Sequence, residues 1–307
     1  MGMQRKPARP TLLQLRALTA IAAHGSYSAA ALETDSSQST LSHAIQDLER
    51  NLGATLLERG RMGAKLTPLG QRVVEHARDA ITSLEALEEE VMLETSGLTG
   101  TIRMMSYRSL ATHLLPGAVQ VFQRQHPNVS LEFMSETPEF GGIEEYVRDG
   151  RADLGLLELP NIGGDLLEFE LARDQYVLLS SSAKPAPTTW GEIQREPFIH
   201  DGGICFKALR THWSANGLTL VGAYTVQSDS AILGMVAQGL GISVMPSLAA
   251  QPVLAGVRVS AIPSPLERRL GIVVTRRKLR VPAIRAFVDT VRGYAASHPL
   301  EEIGALV

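Results

Sequence analysis

The sequence predicts an all-α winged helix-turn-helix N-terminal domain, a long linker helix, and then a two-lobed α/β domain. Three observations predict this order. Charge is divided by segment. Residues 1–72 carry nine Lys/Arg against five Asp/Glu (net +4), residues 73–95 carry one against seven (net −6), and the rest nearly balances, leaving −3 overall. Apolar residues recur at helical spacing up to about residue 94, with one Gly-rich basic interruption near residue 60. Beyond residue 100, short β-like runs alternate with amphipathic helical segments, which implies a parallel sheet covered by helices. A chain of 307 residues has room for two or three domains, and 44% apolar composition supplies their cores.

The same composition excludes several classes. A lone cysteine, Cys205, rules out an intrachain disulfide and a four-cysteine zinc site, and fits a reducing, cytoplasmic compartment. Arg5, Lys6 and Arg9 precede residues 12–23, but Gln14 and Arg16 interrupt that run, so no secretory signal is expected. The uncharged stretch 230–257 has membrane-spanning length. Gly234, Gly239, Gly241, Pro246 and Pro252 break it into a helix, a turn, a strand and another turn, so no membrane segment is predicted. No nucleophile elbow, P-loop, dinucleotide fingerprint or spaced His/Cys set is present, so neither catalysis nor a metal or cofactor is expected.

In the basic head, Leu12, Leu15, Leu18 and Ala22 share one face of a helix that Gly25 stops. Ser26 or Ser28 can cap a short, alanine-rich second helix over 29–33. Asp35, Ser36 and Ser37 form a polar turn into a third helix, with Leu41, Ile45 and Leu48 inward. Gln38, Ser39, Ser42, His43 and Gln46 then face outward, with no acid before Asp47. With Thr40 they are the candidate reading residues: amides pair with adenine edges, and hydroxyls with bases or phosphates, in a major groove. After Leu52-Gly53, the apolar Leu56-Leu57 and Leu66 flank Gly60-Arg61-Met62-Gly63, which reads as a hairpin. Its Arg59, Arg61 and Lys65 would face phosphates or the minor groove of double-stranded DNA.

These residues carry a resemblance. The run Ser36-Ser37-Gln38-Ser39-Thr40-Leu41-Ser42, then Ala44-Ile45, Leu48-Glu49, Leu52-Gly53, Leu56-Leu57-Glu58-Arg59 and Leu66-Thr67-Pro68-Leu69-Gly70 resembles the LysR-type transcriptional regulators, as do the upstream Gly25-Ser26-Tyr27 and Ala29-Ala30-Ala31-Leu32. Two positions depart from that pattern: Ser39 stands where proline is usual, and His43 where arginine is common. The resemblance implies a regulator that binds DNA and responds to a small-molecule effector. It also implies a homodimer paired through antiparallel linker helices, a dimer of dimers, and RNA polymerase as a further contact. The domains would be 1–70, 71–96 and 97–307, with lobe I at 100–164 and 266–307 and lobe II at 165–265.

From Pro68 to about Glu94 nothing breaks a helix after Gly70. Ala77, Leu84 and Val91 recur at sevens with Ala80/Ile81 and Leu87 between them, a short heptad seam suited to pairing. In the body, strands are expected at 101–105, 129–133, 152–157, 176–180, 198–199, 222–226, 242–244 and 269–274, and helices at 109–125, 142–149, 190–192, 206–216, 230–238 and 283–296. The phrase Gly239-Leu240-Gly241-Ile242-Ser243-Val244-Met245-Pro246 is typical of the same family's effector domain, whose fold resembles periplasmic binding proteins.

Ligands of open parallel sheets bind beyond the carboxyl ends of strands. Ser106, Tyr107, Arg108 and Ser109 follow the first strand and suit a carboxylate; Gly203 and Cys205 follow a second-lobe strand; Ser228 opens another helix, and Thr137 follows the second strand. These residues are the expected site of an anionic effector. Asp229, an acid beside them, is expected either to hold Arg108 or to cap its helix. Cys205 leaves an alternative open, in which a single thiol near a helix start acts as a redox sensor.

Overall fold

In a computed structural model, residues 9–60, 63–134, 142–160, 164–217, 219 and 222–300 are described. The head holds α1 (Leu12–His24), α2 (Tyr27–Glu33), α3 (Gln38–Leu52) and a hairpin of β1 (Leu57–Gly60) and β2 (Gly63–Leu66). Thr11 and Gln14 close a reciprocal cap on α1, Ser26 caps α2, and Ser37 accepts from Thr40 N at 3.0 Å to start α3. Gly25 ends α1 at φ +67°, and its carbonyl accepts from Ala64 N at 2.9 Å. A Cβ on Gly63 would lie 2.4 Å from that carbonyl oxygen, so glycine is what lets the wing lie against α1. The Glu49 carboxylate accepts from Leu56 N (2.6 Å) and Leu57 N (3.1 Å), fixing the wing to α3. The buried face of α1 is Gln14, Ala17, Leu18 and Ile21; of the expected Leu12, Leu15, Leu18 and Ala22, Leu18 is buried and the other three are not. Helices α2, α3 and α4 (Pro68–Ser96) all pack on α1, and together they turn its inward side and leave Leu12, Leu15 and Ala22 half-buried.

Helix α4 begins on Thr67, which caps Gly70 N, with Pro68 in the first turn. One side lies on the same chain: Val74 joins the head core and Ala86 the core of the body. The expected seam is divided. Ala77 is buried within the chain, whereas Leu87 is 60% exposed and Val91 is exposed as well. Basic residues of the body meet the acids of α4, Arg277 on Glu75 at 3.1 Å and Lys278 on Glu85 at 3.0 Å, and Arg78 reaches Asp149 at 3.2 Å.

The body is organised by a seven-stranded sheet in the order β10 (Val257–Ala261), β6 (Leu167–Ser181), β11 (Glu267–Val274), β5 (Leu154–Leu159), β3 (Gly100–Ser106), β4 (Val129–Met134), with β9 (Ser243–Pro246) also on β6. Strands β3 (Gly100–Ser106), β4 (Val129–Met134) and β5 (Leu154–Leu159) are parallel, and β11 (Glu267–Val274) runs antiparallel between β5 and β6 (Leu167–Ser181). Alternate residues feed two cores. Met104, Leu156 and Ile272 face α6 (Leu115–Gln125) and α11 (Pro282–Ser297), while Met105, Leu157 and Val273 face α7 (Ile143–Asp149). The helix expected over 109–125 is two, α5 (Arg108–His113) and α6, because Pro116 has no N–H to continue the first.

Strand β6 is longer than the expected 176–180. Its first part pairs with β11, and from Tyr176 it pairs with β9 (Ser243–Pro246) and β10 (Val257–Ala261), so one strand serves both lobes. Lobe II is completed by α8 (Trp190–Ile193), β7 (Phe198–His200), α9 (Ile204–Ala215), β8 (Gly222–Thr225) and α10 (Asp229–Ala237). Among the described residues, no helix is long and apolar enough to cross a membrane.

Asp153, at the start of β5, is buried and bonded to Arg103 N (2.8 Å) and Lys278 Nζ (3.0 Å). Burial would raise its carboxyl, but Lys278 and Arg103 outweigh that and hold it below the ordinary carboxylate range. A carboxyl depressed in this way stabilises the fold above its unfolded value, about 3.9, and loses that contribution as pH falls through the folded value. Asp153→Ala is therefore expected to destabilise the protein by about 3–5 kcal/mol at pH 7. In urea unfolding the gap to wild type should narrow towards pH 3; a gap constant with pH would contradict this account.

Candidate nucleic-acid interface and ligand cleft

Helix α3 presents Gln38, Ser39, Thr40, His43 and Gln46 to solvent, with Ser42 half-buried, above the buried Leu41, Ala44, Ile45 and Leu48. The Ser37 hydroxyl lies 2.7 Å from both Ser39 and Thr40 hydroxyls, so the helix opens on a serine cap even without a proline at Ser39. Lys65 is exposed on β2, across the hairpin from Glu58. Arg61 and the Arg59 side chain lie outside the described residues.

A cleft of about 460 Å³ separates the lobes, within the size range of small-molecule sites. Lobe I contributes Tyr107, Arg108 and Ser109, and lobe II contributes His200, Asp201, Gly203, Gln227 and Asp229. Its apolar wall is Phe206, Ile232, Val244, Met245, Pro246 and Ala249. Of the expected effector residues, Tyr107, Arg108, Ser109 and Gly203 line the cleft. Ser106 Oγ instead bonds its neighbour's carbonyl (3.0 Å), and Ser228 caps α10 through Ala231 N (3.4 Å). Thr137 and the Cys205 side chain lie outside the described residues.

The cleft floor is a buried network. Arg268, on β11, faces Asp174, its register partner on β6, with Nε at 3.0 Å and Nη2 at 2.8 Å from Oδ2. Nη2 also donates to Ser109 Oγ at 3.0 Å. Asp174 Oδ1 accepts from Ser247 Oγ (2.8 Å) and Leu248 N (3.2 Å). Nearby, burial raises the Glu158 carboxyl, with Arg268 opposing and Asp174 adding to the rise.

Across the mouth, Arg108 of lobe I donates through Nε to Asp229 Oδ2 of lobe II at 2.8 Å, and through Nη2 to the same oxygen and to Ala249 O at 2.6 Å. Of the two roles foreseen for Asp229, holding Arg108 is thus filled, while Ser228 caps the helix. The side chains are 48% and 30% exposed, against 3% and 0% for Arg268 and Asp174. The first pair is a contact that water can compete for, and the second is not. His200 stacks on Phe206 with ring centroids 3.6 Å apart. Burial lowers its pKa, with Asp201 pulling the other way, and its Nδ1 is buried without a hydrogen-bond partner.

Sequence reasoning did not identify Arg268, Asp174 or the apolar wall as parts of the site. Leu167-Glu168-Phe169-Glu170-Leu171 alternates strictly and could have revealed the front of β6. No local pattern marks Arg268.

A helix-turn-helix head with a wing, joined to a two-lobed binding domain, defines a ligand-responsive class of DNA-binding protein. Comparison with known proteins narrows this. Residues 12–71 match the bacterial regulatory helix-turn-helix model of the LysR family, and residues 95–296 match the LysR substrate-binding domain. The chain belongs to the LysR family of transcriptional regulators. It is 40% identical over 285 residues to a probable HTH-type transcriptional regulator, LrrA, of Synechococcus elongatus, covering 92% of this chain and 96% of that one. It is 29% identical to a probable hydrogen peroxide-inducible genes activator of Streptomyces viridosporus, covering 81% of each. In fold it is similar to a full-length OxyR variant from Pseudomonas aeruginosa (TM-score 0.70, 22% identity, 92% of this chain and 98% of that one). It is also similar to full-length CbnR in complex with its target DNA (TM-score 0.55, 20% identity, 93% and 99%).

The two ion pairs should separate on substitution. Asp174→Ala, which leaves Arg268 buried and unpaired, is expected to lower unfolding free energy by about 3–5 kcal/mol. Asp229→Ala should lower it by about 1 kcal/mol or less. Chemical denaturation of the two variants checks the ranking, and equal losses would contradict it.

Proposed function

We propose that this regulator reads a specific DNA site with α3 in the major groove and the wing on the backbone, and that a small carboxylate-bearing effector in the cleft controls the complex. The observation that carries the DNA reading is the exposed face of α3. Gln38, Ser39, Thr40, His43 and Gln46 stand there without an acid, and Lys65 is exposed on the wing. Ser42 lies at the edge of that face, and Arg59 and Arg61 extend the basic tip in sequence. The observation that supports the effector reading is the cleft with Arg108 at its mouth and an apolar wall.

The working unit is a homodimer joined through α4, whose Leu87 side faces solvent in the single chain. Two dimers associate, and two recognition helices read half-sites about one helical turn or more apart. An effector resets the spacing of the lobes, the subunits shift, and the linker helices re-space the recognition helices. DNA bend and contact with RNA polymerase change as a result. The protein acts in the cytoplasm and turns over no substrate.

A second reading has a specific motive, the name carried by the Streptomyces viridosporus relative. In it Cys205, the second residue of α9, is the input. Its thiolate attacks hydrogen peroxide, forming a sulfenic acid and releasing hydroxide. As the chain's sole cysteine, it has no intramolecular thiol partner. A sulfenic acid trapped on Cys205 at low peroxide, together with altered DNA binding, would establish this input. Retained peroxide response in Cys205→Ser would reject it.

Gel shift against the DNA upstream of the protein's own gene tests the main reading. Gln46→Ala should reduce specific binding by about 1–3 kcal/mol. Lys65→Ala should weaken specific and random DNA alike and lower the salt slope by about 1. Deletion of residues 1–70 should abolish binding. Equal affinity for specific and random DNA in the wild type would contradict a sequence-reading role.

A further inference from the structure

The charges lining the cleft are unequal. Among the described residues, Arg268 is committed to Asp174 and Ser109 in the floor, which leaves Arg108 as the cation at the mouth. Two acids face the same space, Asp201 and Asp229. Asp201 accepts from Gly203 N at 3.0 Å, and Asp229 holds Arg108. A ligand carrying only a carboxylate would reach Arg108 by displacing Asp229. That would leave two uncompensated acids beside the incoming anion, and like charges at close range oppose one another. A ligand carrying only an ammonium would take Asp229 and leave Arg108 unpaired against the Ala249 carbonyl.

One charge pattern avoids both outcomes. A molecule with a carboxylate and an ammonium close together replaces each half of the internal ion pair by its own opposite half. Phe206, Ile232, Val244, Met245 and Ala249 give the cleft an apolar wall, beside the uncharged polar Gln227 and Ser243 and the His200 ring stacked on Phe206. We propose that the effector is a zwitterion of the apolar α-amino acid class, its carboxylate on Arg108 and its ammonium on Asp229, so that it takes over the bridge that these two side chains form between the lobes. This rests on the reading of the cleft as the effector site and specifies which chemistry that site accepts. Asp229 is then a residue of specificity as well as a latch. It admits a carboxylate only when the ligand brings a cation with it.

Calorimetric titration of the full-length protein tests this, using leucine, isoleucine, valine, methionine and phenylalanine. Each is set against its N-acetyl derivative, its amide, and the carboxylate lacking the amine. At least one amino acid is expected to bind, with its N-acetyl, amide and deamino forms about tenfold or more weaker. Asp229→Asn should remove the preference for the amino acid over the N-acetyl form, and Arg108→Gln the preference over the amide. Both side chains are partly exposed, and thermal unfolding of the unliganded variants verifies their fold. The zwitterion inference is overturned if no amino acid of the panel binds, or if the deamino carboxylate binds as tightly and depends on Arg108; the latter result leaves the cleft reading standing. Binding indifferent to both Arg108 and Asp229 would remove the cleft reading as well.

Discussion

The buried pair of Arg268 and Asp174 determines where the two lobes meet. Strand β6 passes from one lobe to the other, β11 returns beside it, and the two side chains oppose each other in register near that crossing. Each charge would be costly to bury alone; together they satisfy one another and draw in Ser109 from α5 and Ser247 with the Leu248 amide from beyond β9. His113 of α5 adds a contact to the Leu248 carbonyl at 3.1 Å. The floor of the cleft is therefore held by several buried bonds, whereas the mouth is spanned by Arg108 and Asp229, which are partly exposed. A buried pair beside an exposed, replaceable one is an arrangement in which a small molecule can shift the balance between two lobe spacings.

Electrostatics also explains the linker. The −6 of residues 73–95 is partly met by the body of the same chain: Glu75 by Arg277, and Glu85 by Lys278. Lys278 extends the contact inward to Asp153, which also holds Arg103 of β3. Polar contacts thus join lobe I to α4 apart from the apolar seam. The seam itself is shared between two uses, Ala77 buried within the chain and Leu87 facing out.

Much of this architecture was legible in the residues, for reasons that can be named. Gly25 and Gly53 end helices in the left-handed conformation, Ser26, Ser37 and Thr67 cap them, and the period of Leu41, Ile45 and Leu48 sets the outward face of α3. These are local signals. The cleft was legible only in part. Arg108 and Ser109 follow a strand and could be placed, whereas Arg268 and Asp174 are brought together by a pairing over 94 positions of sequence. Nothing local distinguishes a buried arginine in Glu267-Arg268-Arg269 from an exposed one. The inward face of α1 is legible only at Leu18 for a related reason, since the helix receives neighbours on several sides. The split of the helix at Pro116 carried its own marker, the proline itself.

In the scheme proposed here the lobes turn on a fixed buried pair while the ligand replaces an exposed one. A crystal structure of the full-length protein saturated with its effector tests this most directly. Arg268 should remain on Asp174 and Ser109, and Arg108 should leave Asp229 for the ligand. A bound ligand beneath an intact Arg108–Asp229 bridge, or an Arg268 drawn away from Asp174, would contradict it.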